Sequence, residues 1–462
     1  MSEVLFHMAK SAVRDLTQGS PMKLVIGFTL PLMFGFLFQQ FYSFVDAAIV
    51  GRFLGAQELA AVGSTGSLNF VILGLTGGMC SGFAVPIAQA VGAKDETELR
   101  RNVFNAAYLC TIISVVMGVV TGLLTGTMLR WLSTPADIIV SATKYFRLIL
   151  WTLPVMVLYN MSSAILRSLG DSKTPVLFLV MASIINIVLD LVFIIVFHMG
   201  VQGAALATAV SQLASGVGCL ITLVKRFPIL RPREGDTKYR PNYCRRLVLV
   251  GLPMGLQFSI TGLGSLVLTS SVNVLGTVYV AAATAGGKMS AFFCTVIDAL
   301  ASTMATYAGQ NLGARKLDRI HQGLKAASIV GCIYCVAALI VILLAGKPMM
   351  TMFVDASETE VLRYAQQYLT AFGTFYIPLL FVNIVRLTIQ GMGYTRLAVI
   401  AGVLEMIARG VVGAVFVPLF GFSAACLASP SAWILADAFL FPAYFTVMKK
   451  LRQRLQPAGV NG

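Results

Sequence analysis

The chain has 462 residues, of which 57% are hydrophobic and only 11% charged, whereas a soluble domain carries about 25% charged residues. Apolar runs recur from end to end, which excludes a soluble enzyme and makes the chain an all-α polytopic membrane protein. A net charge of +15 would suit nucleic acid, but its distribution along the chain points to membrane topology.

The amino-terminal stretch is polar through Lys10, Arg14 and Asp15, with no signal-peptide pattern before the first apolar run, so the first span is expected to be retained. Twelve spans are expected at roughly residues 22–50, 57–90, 99–127, 138–166, 176–198, 202–224, 246–271, 278–310, 318–346, 360–387, 396–417 and 422–447. With the amino terminus in the cytoplasm, only Arg52, Arg130, Lys144, Arg147, Lys347 and Arg363 fall outside. Lys288, Arg386 and Arg409 lie within spans, and the other basic residues lie in or beside cytoplasmic segments. This positive-inside bias places both termini in the cytoplasm.

The two halves repeat each other. Leu30-Pro31-Leu32 matches Leu252-Pro253-Met254, and Leu54-Gly55 matches Leu275-Gly276. The stretch from Gln89 to Lys94 matches that from Gln310 to Arg315. Leu169-Gly170 matches Met392-Gly393, and Gly200 matches Gly421. The offset stays between 221 and 223 residues. Two six-helix lobes are expected, residues 1–224 and 246–462, joined by a basic cytoplasmic linker at 225–245. They should be related by an axis along the membrane normal, around a central cavity. The linker's arginines and lysines would favour anionic lipid head groups. Pro31, Pro86, Pro154, Pro253, Pro378, Pro418, Pro430 and Pro442 fall inside spans, where each removes a backbone hydrogen bond and allows a kink.

No catalytic pattern is present: there is no Walker A sequence, no HExxH and no GxSxG. Cys332 and Cys335 form a CxxC inside a hydrophobic run, without a histidine or second cysteine pair to complete a metal site. His7 and His321 belong to cytoplasmic segments, and His198 to the outer end of the fifth span.

Intramembrane acids are few: Asp46, Asp190, Asp298, Glu405 and Asp437. Each is a functional candidate, because an acid is costly in a bilayer. Asn186 and Asp190 are four residues apart on one helix face. Asp46, Asn186, Asp190 and Thr208 all fall in the outer half of the first lobe, so they can meet. Two carboxylates, an amide oxygen and a hydroxyl suit a small hard cation such as sodium, and they suit a proton equally. In the second half the counterparts of Asn186 and Asp190 are Arg409 and Gly413. Glu405 precedes Arg409 by four residues, which predicts a structural ion pair, with Arg386 and Lys288 as further candidate members.

These residues resemble the MATE (multidrug and toxic compound extrusion) transporters. The resemblance rests on Pro31, the stretch from Val45 to Gly55 and the loop from Gln89 to Lys94 with its repeat from Gln310 to Arg315. Arg167-Ser168-Leu169-Gly170-Asp171 and Asn186 with Asp190 complete the set. The likeness implies two six-helix lobes and secondary active export of drugs against protons or sodium. It matches Asp46, Asn186, Asp190 and Thr208 to a coupling site in the amino lobe, and Asn160 to a further residue of that site. Family acids of the seventh and tenth helices have no match, since Gln257 and Arg386 stand there.

The expected function is therefore export of cationic, amphipathic drugs by alternating access, as a monomer in the plasma membrane. No cofactor is expected beyond the coupling ion, and no nucleic-acid partner. The alternative is a lipid or oligosaccharide-lipid flippase. Only three embedded basic residues, all in the second half, speak for an anionic cargo.

Overall fold

The computed structural model describes residues 15–455 apart from Ser133. Lys10, Arg14 and His7 lie outside the described residues. Among those described there is helix and no strand. A helix satisfies its backbone within the segment, as hydrocarbon requires. In chain order the helices are α1 (Pro21–Leu54), α2 (Ala56–Ser64), α3 (Gly66–Ala93), α4 (Glu96–Trp131), α5 (Ile139–Trp151), α6 (Leu153–Ser168), α7 (Lys173–Leu191) and α8 (Val201–Arg226). There follow α9 (Pro241–Asn273), α10 (Thr277–Gly313), α11 (Leu317–Met350), α12 (Thr359–Thr374), α13 (Tyr376–Gly391), α14 (Thr395–Val411), α15 (Val417–Phe420) and α16 (Phe422–Leu455).

Among the described residues ten segments are long and apolar enough to cross a membrane singly, and two bent pairs, if each is one span, bring the total up to 12. The pairs are α5 with α6, bent by 47°, and α12 with α13, bent by 50°. Each bend sits beside a proline, Pro154 or Pro378, whose missing N–H and bulky ring interrupt the ladder of the preceding turn. Outer faces are apolar at helical spacing. On α11, Ile329, Ile333, Val336, Ile340 and Leu343 form an exposed stripe suited to lipid.

The internal repeat is written into the backbone. Left-handed or otherwise positive φ angles recur in pairs: 92° and 112° at Gly55 and Gly276, 57° and 58° at Lys94 and Arg315. Gly170 and Gly393 have 87° and 89°, and Gly200 and Gly421 have 59° and 62°. Lys94 and Arg315 each close a helix in a conformation that costs an ordinary side chain energy, so the turn itself is specified twice. A π-helical turn follows α7 at Val192–Val196, and another follows α14 at Val412–Phe416.

The described chain divides into two compact units. The first holds Asp15 and Phe34–Gly255, the second Leu16–Met33 and Leu256 onward. The first half of α1 thus packs with the second unit. There Thr29 and Thr303 hydroxyls bond at 2.9 Å, and Leu16 N–H donates to Gln310 Oε1 at 2.9 Å.

In the first unit the start of α4 is capped by Asp95, which accepts from Glu98 N–H at 2.9 Å. Asp171, one residue before the N-cap Ser172 of α7, accepts from Thr174 N–H at 3.0 Å. The segment after α8 is pinned to α4. Arg100 is buried, and its Nε donates to Asp236 Oδ2 at 2.6 Å and its Nη1 to the Ile229 carbonyl at 3.3 Å. The Arg100 guanidinium holds the Asp236 carboxyl below the usual carboxylate range, chiefly through that hydrogen bond.

Candidate functional site

In the first unit α7 carries Asn186 and Asp190 one turn apart, and both are fully buried at 1% and 0% exposure. α7 packs lengthwise on α8, which brings in Thr208. α1 brings in Asp46, with Tyr42 one turn earlier. The carboxyls of Asp46 and Asp190 face each other within hydrogen-bonding distance. Oδ1 of each is buried without an N–H or O–H donor.

The Asn186 amide is best satisfied with its nitrogen donating to Asp190 Oδ2 at 2.9 Å and its oxygen accepting from Thr208 N–H at 3.1 Å. In this orientation Asn186 serves Asp190 as a donor, and its own oxygen is occupied. The oxygens left toward a cation are those of the two carboxyls and the hydroxyls of Thr208 and Tyr42, which lie 3.5 Å apart. Two carboxylates this close repel, and each has an orphaned buried oxygen. A proton or a sodium ion held between them would answer both conditions. Among the described residues no group of three or more histidines, cysteines or acids suits a metal, so a tightly held transition metal does not fit this donor set.

Asn160 sits half-buried on α6, where its amide donates to the Met156 carbonyl at 3.0 Å. No hydrogen bond among the described residues ties it to Asp46, Asn186, Asp190 or Thr208. Two tyrosines beside the carboxyls escape a reading of the sequence. Tyr42 was detectable, because it lies one turn before Asp46. Tyr145, electrostatically coupled to Asp46, Tyr42 and Asp190, gives no such signal, since it arrives on the separate helix α5.

In the second unit Glu405 accepts from Arg409 Nη2 at 3.2 Å and from Arg386 Nη2, and all three side chains are buried. Asp437 lies near the cluster but forms no ion pair with it among the described residues. Two guanidinium groups thus share one carboxylate. Lys288 stands apart: its ammonium lies over the Phe353 ring, 5.9 Å from the centroid. Arg409 Nη1 also donates to the Thr261 carbonyl at 3.5 Å. Gln257 accepts from Gln390 at 3.4 Å, so the seventh span contributes an amide to this lobe.

The lobes differ for a steric reason as well. At Gly413, the counterpart of Asp190, an added Cβ would lie 2.5 Å from Ser271 Oγ. No carboxylate can stand there while Ser271 keeps its place. Beside the cluster lies a cleft of about 450 Å³, bounded by Asp298, Asn383, Tyr368 and Arg409 among others. Asp298 is exposed in it.

A sequence profile of the MatE family matches residues 31–192 and 253–416, one match in each half. A probable multidrug resistance protein, YpnP of Bacillus subtilis, is 29% identical over 374 residues, covering 80% of this chain and 82% of that protein. The multidrug export protein MepA of Staphylococcus aureus is 22% identical over 420 residues, covering 90% of each. The fold is that of a solved MATE structure in complex with MaL6, with a TM-score of 0.89 over 95% of this chain and 99% of that one, at 23% identity. With both halves matched, the chain belongs to the MatE family and is a multi-pass membrane transporter, not an enzyme.

Proposed function

We propose that this transporter exports cationic, amphipathic drugs in exchange for protons or sodium ions, by alternating access. The observation that carries the reading is the facing pair Asp46 and Asp190, each with an orphaned buried oxygen. The multidrug names borne by the Bacillus subtilis and Staphylococcus aureus relatives support the substrate class.

A cation entering between Asp46 and Asp190 removes their repulsion. Asn186 steadies Asp190 through its N–H, and Thr208 and Tyr42 offer hydroxyl oxygens. Loading thereby favours whichever arrangement of α1 keeps Asp46 against α7. For exchange, that arrangement must bind drug less well than the unloaded one, because coupling is a difference in affinity between two states. Pro31 gives α1 a place to bend. The chain acts as a monomer in the plasma membrane with both termini in the cytoplasm, as the distribution of basic residues favours.

Flippase activity on an anionic lipid-linked sugar is the weaker reading. It needs uncompensated cations in the membrane, and Arg386 and Arg409 both engage Glu405. Ethidium efflux from proteoliposomes, with sodium and pH gradients imposed separately, tests the proposal. One of the two gradients should drive efflux. Transport that ignores both overturns it.

A further inference from the structure

The wall of the first unit contains a second feature, away from the Asp46 and Asp190 carboxyls. α4 and α8 both pack on α6 and scarcely touch each other. Between them lies a cleft of about 500 Å³. Four of the six positions that α4 gives to its lining are small, Ala107, Cys110, Thr111 and Ser114, beside Val103 and Phe104 at one end. Leu220 and Val224 of α8 form the opposite wall, and Met161 lies on the floor. Ala107, Thr111, Leu220 and Val224 are exposed, so the cleft opens outward from the helix bundle.

Its length is informative. From Val103 to Ser114 the lining of α4 runs about 16 Å at 1.5 Å per residue. Half a bilayer's hydrocarbon core is about 15 Å. The cleft is thus as long as one leaflet is deep, and it ends where α8 gives way to the inter-lobe segment.

At that end stand Leu230, Arg231 and Pro232. Four neighbouring arginines are engaged: Arg226 with Asp171, Arg233 with Glu96, Arg240 with the Gly235 carbonyl and Arg246 with Glu98. The Arg231 guanidinium has no hydrogen bond or ion pair among the described residues and is exposed. An apolar slot one leaflet deep, closed at the head-group level by an unpaired guanidinium, complements an acyl chain attached to a phosphate.

We infer that the cleft between α4 and α8 is a binding site for one anionic phospholipid, its acyl chain in the slot and its phosphate on Arg231. The site holds lipid whatever the transporter carries, so its test does not read transport. Native mass spectrometry of the full-length protein, released from micelles doped with phosphatidylglycerol or phosphatidylcholine, counts retained lipid. One phosphatidylglycerol should survive at collision energies that strip phosphatidylcholine, by roughly tenfold in retained fraction. Arg231→Ala should bring the two lipids level. Thr111→Phe, at an exposed position outside the packed core, should fill the slot and lower retention of phosphatidylglycerol. Equal retention of both lipids by the unmodified protein overturns the inference. So does a phosphatidylglycerol preference that survives Arg231→Ala, or retention unaffected by Thr111→Phe.

Discussion

Asp46 on α1 and Asp190 on α7 meet carboxyl to carboxyl, and each keeps one buried oxygen without a donor. Such a pair stands at a cost, since an unsatisfied buried acceptor is unfavourable by about 1–3 kcal/mol. The sites where a transporter needs a cation are where that cost has a use.

Asp46→Asn and Asp190→Asn should each abolish gradient-driven ethidium efflux while leaving membrane abundance near normal. The amide keeps the shape and loses the charge that draws a cation. Asn186→Ala and Thr208→Ala should retain a measurable fraction, because they remove neutral partners. Efflux assays at matched abundance decide the matter, and full transport by Asp46→Asn would remove this pair from the mechanism.

Glu405→Gln should act on stability before transport. It leaves Arg386 and Arg409 buried with only Asp437 nearby, and breaking a buried pair costs about 3–5 kcal/mol. A lower melting temperature in detergent and lower membrane abundance are expected, with residual protein still coupled. Normal abundance together with lost ion-driven efflux would move Glu405 into the coupling machinery.

The Asp236 carboxyl, held below its ordinary value by Arg100, sets a pH window for the segment between the lobes. A depressed value in the folded chain means stabilisation that is fully present above about pH 4, the unfolded value, and lost as pH falls through the lower folded value. Protection of residues 228–240 from hydrogen exchange, relative to the intrinsic rate at each pH, should be high at neutral pH and fall only below about pH 4. Asp236→Asn should show the lower protection already at pH 7. Exchange that is the same in the variant and the parent would mean that other contacts hold the segment.

Close helix contacts predict a steric series. An alanine Cβ at Gly82 would lie 2.5 Å from the Gly251 backbone, and one at Gly391 would lie 2.3 Å from the Ala305 carbonyl oxygen. Gly82→Ala and Gly391→Ala should each destabilise by about 1–3 kcal/mol. Gly63→Ala and Gly287→Ala, where a Cβ meets open space, should not destabilise. Thermal melts of the four variants provide the comparison, and equal melting temperatures would mean that the helices simply part.

Span number and repeat were legible because hydrophobic runs and glycine-bearing turns are local signals. The pairs Gly55 with Gly276 and Gly200 with Gly421 appear first as matching letters and then as matching φ angles. Asn186 with Asp190 was visible from its four-residue spacing, and Thr208 from its depth. The orientation of the Asn186 amide was not, since it depends on which neighbour offers an N–H. The membership of the second cluster was only partly readable. Arg386 joins Glu405, whereas Lys288 turns to the Phe353 ring, and depth in a span cannot separate those outcomes. The 47° and 50° bends were readable as prolines but not as angles, and Tyr145 comes in on the arm before the first of them.

The buried charges of Arg386, Arg409 and Glu405 bear on how the transporter feels a membrane voltage. One elementary charge crossing 100 mV is worth about 2.3 kcal/mol. Two arginines on one glutamate leave one net positive charge, on which the field acts whenever the helices that carry it shift along the membrane normal. Voltage would then act on this cluster as well as on Asp46, Asp190 and whatever cation they hold. A drug bearing one positive charge, exchanged for one proton or one sodium ion, would leave no net current, and such exchange would run on chemical gradients alone.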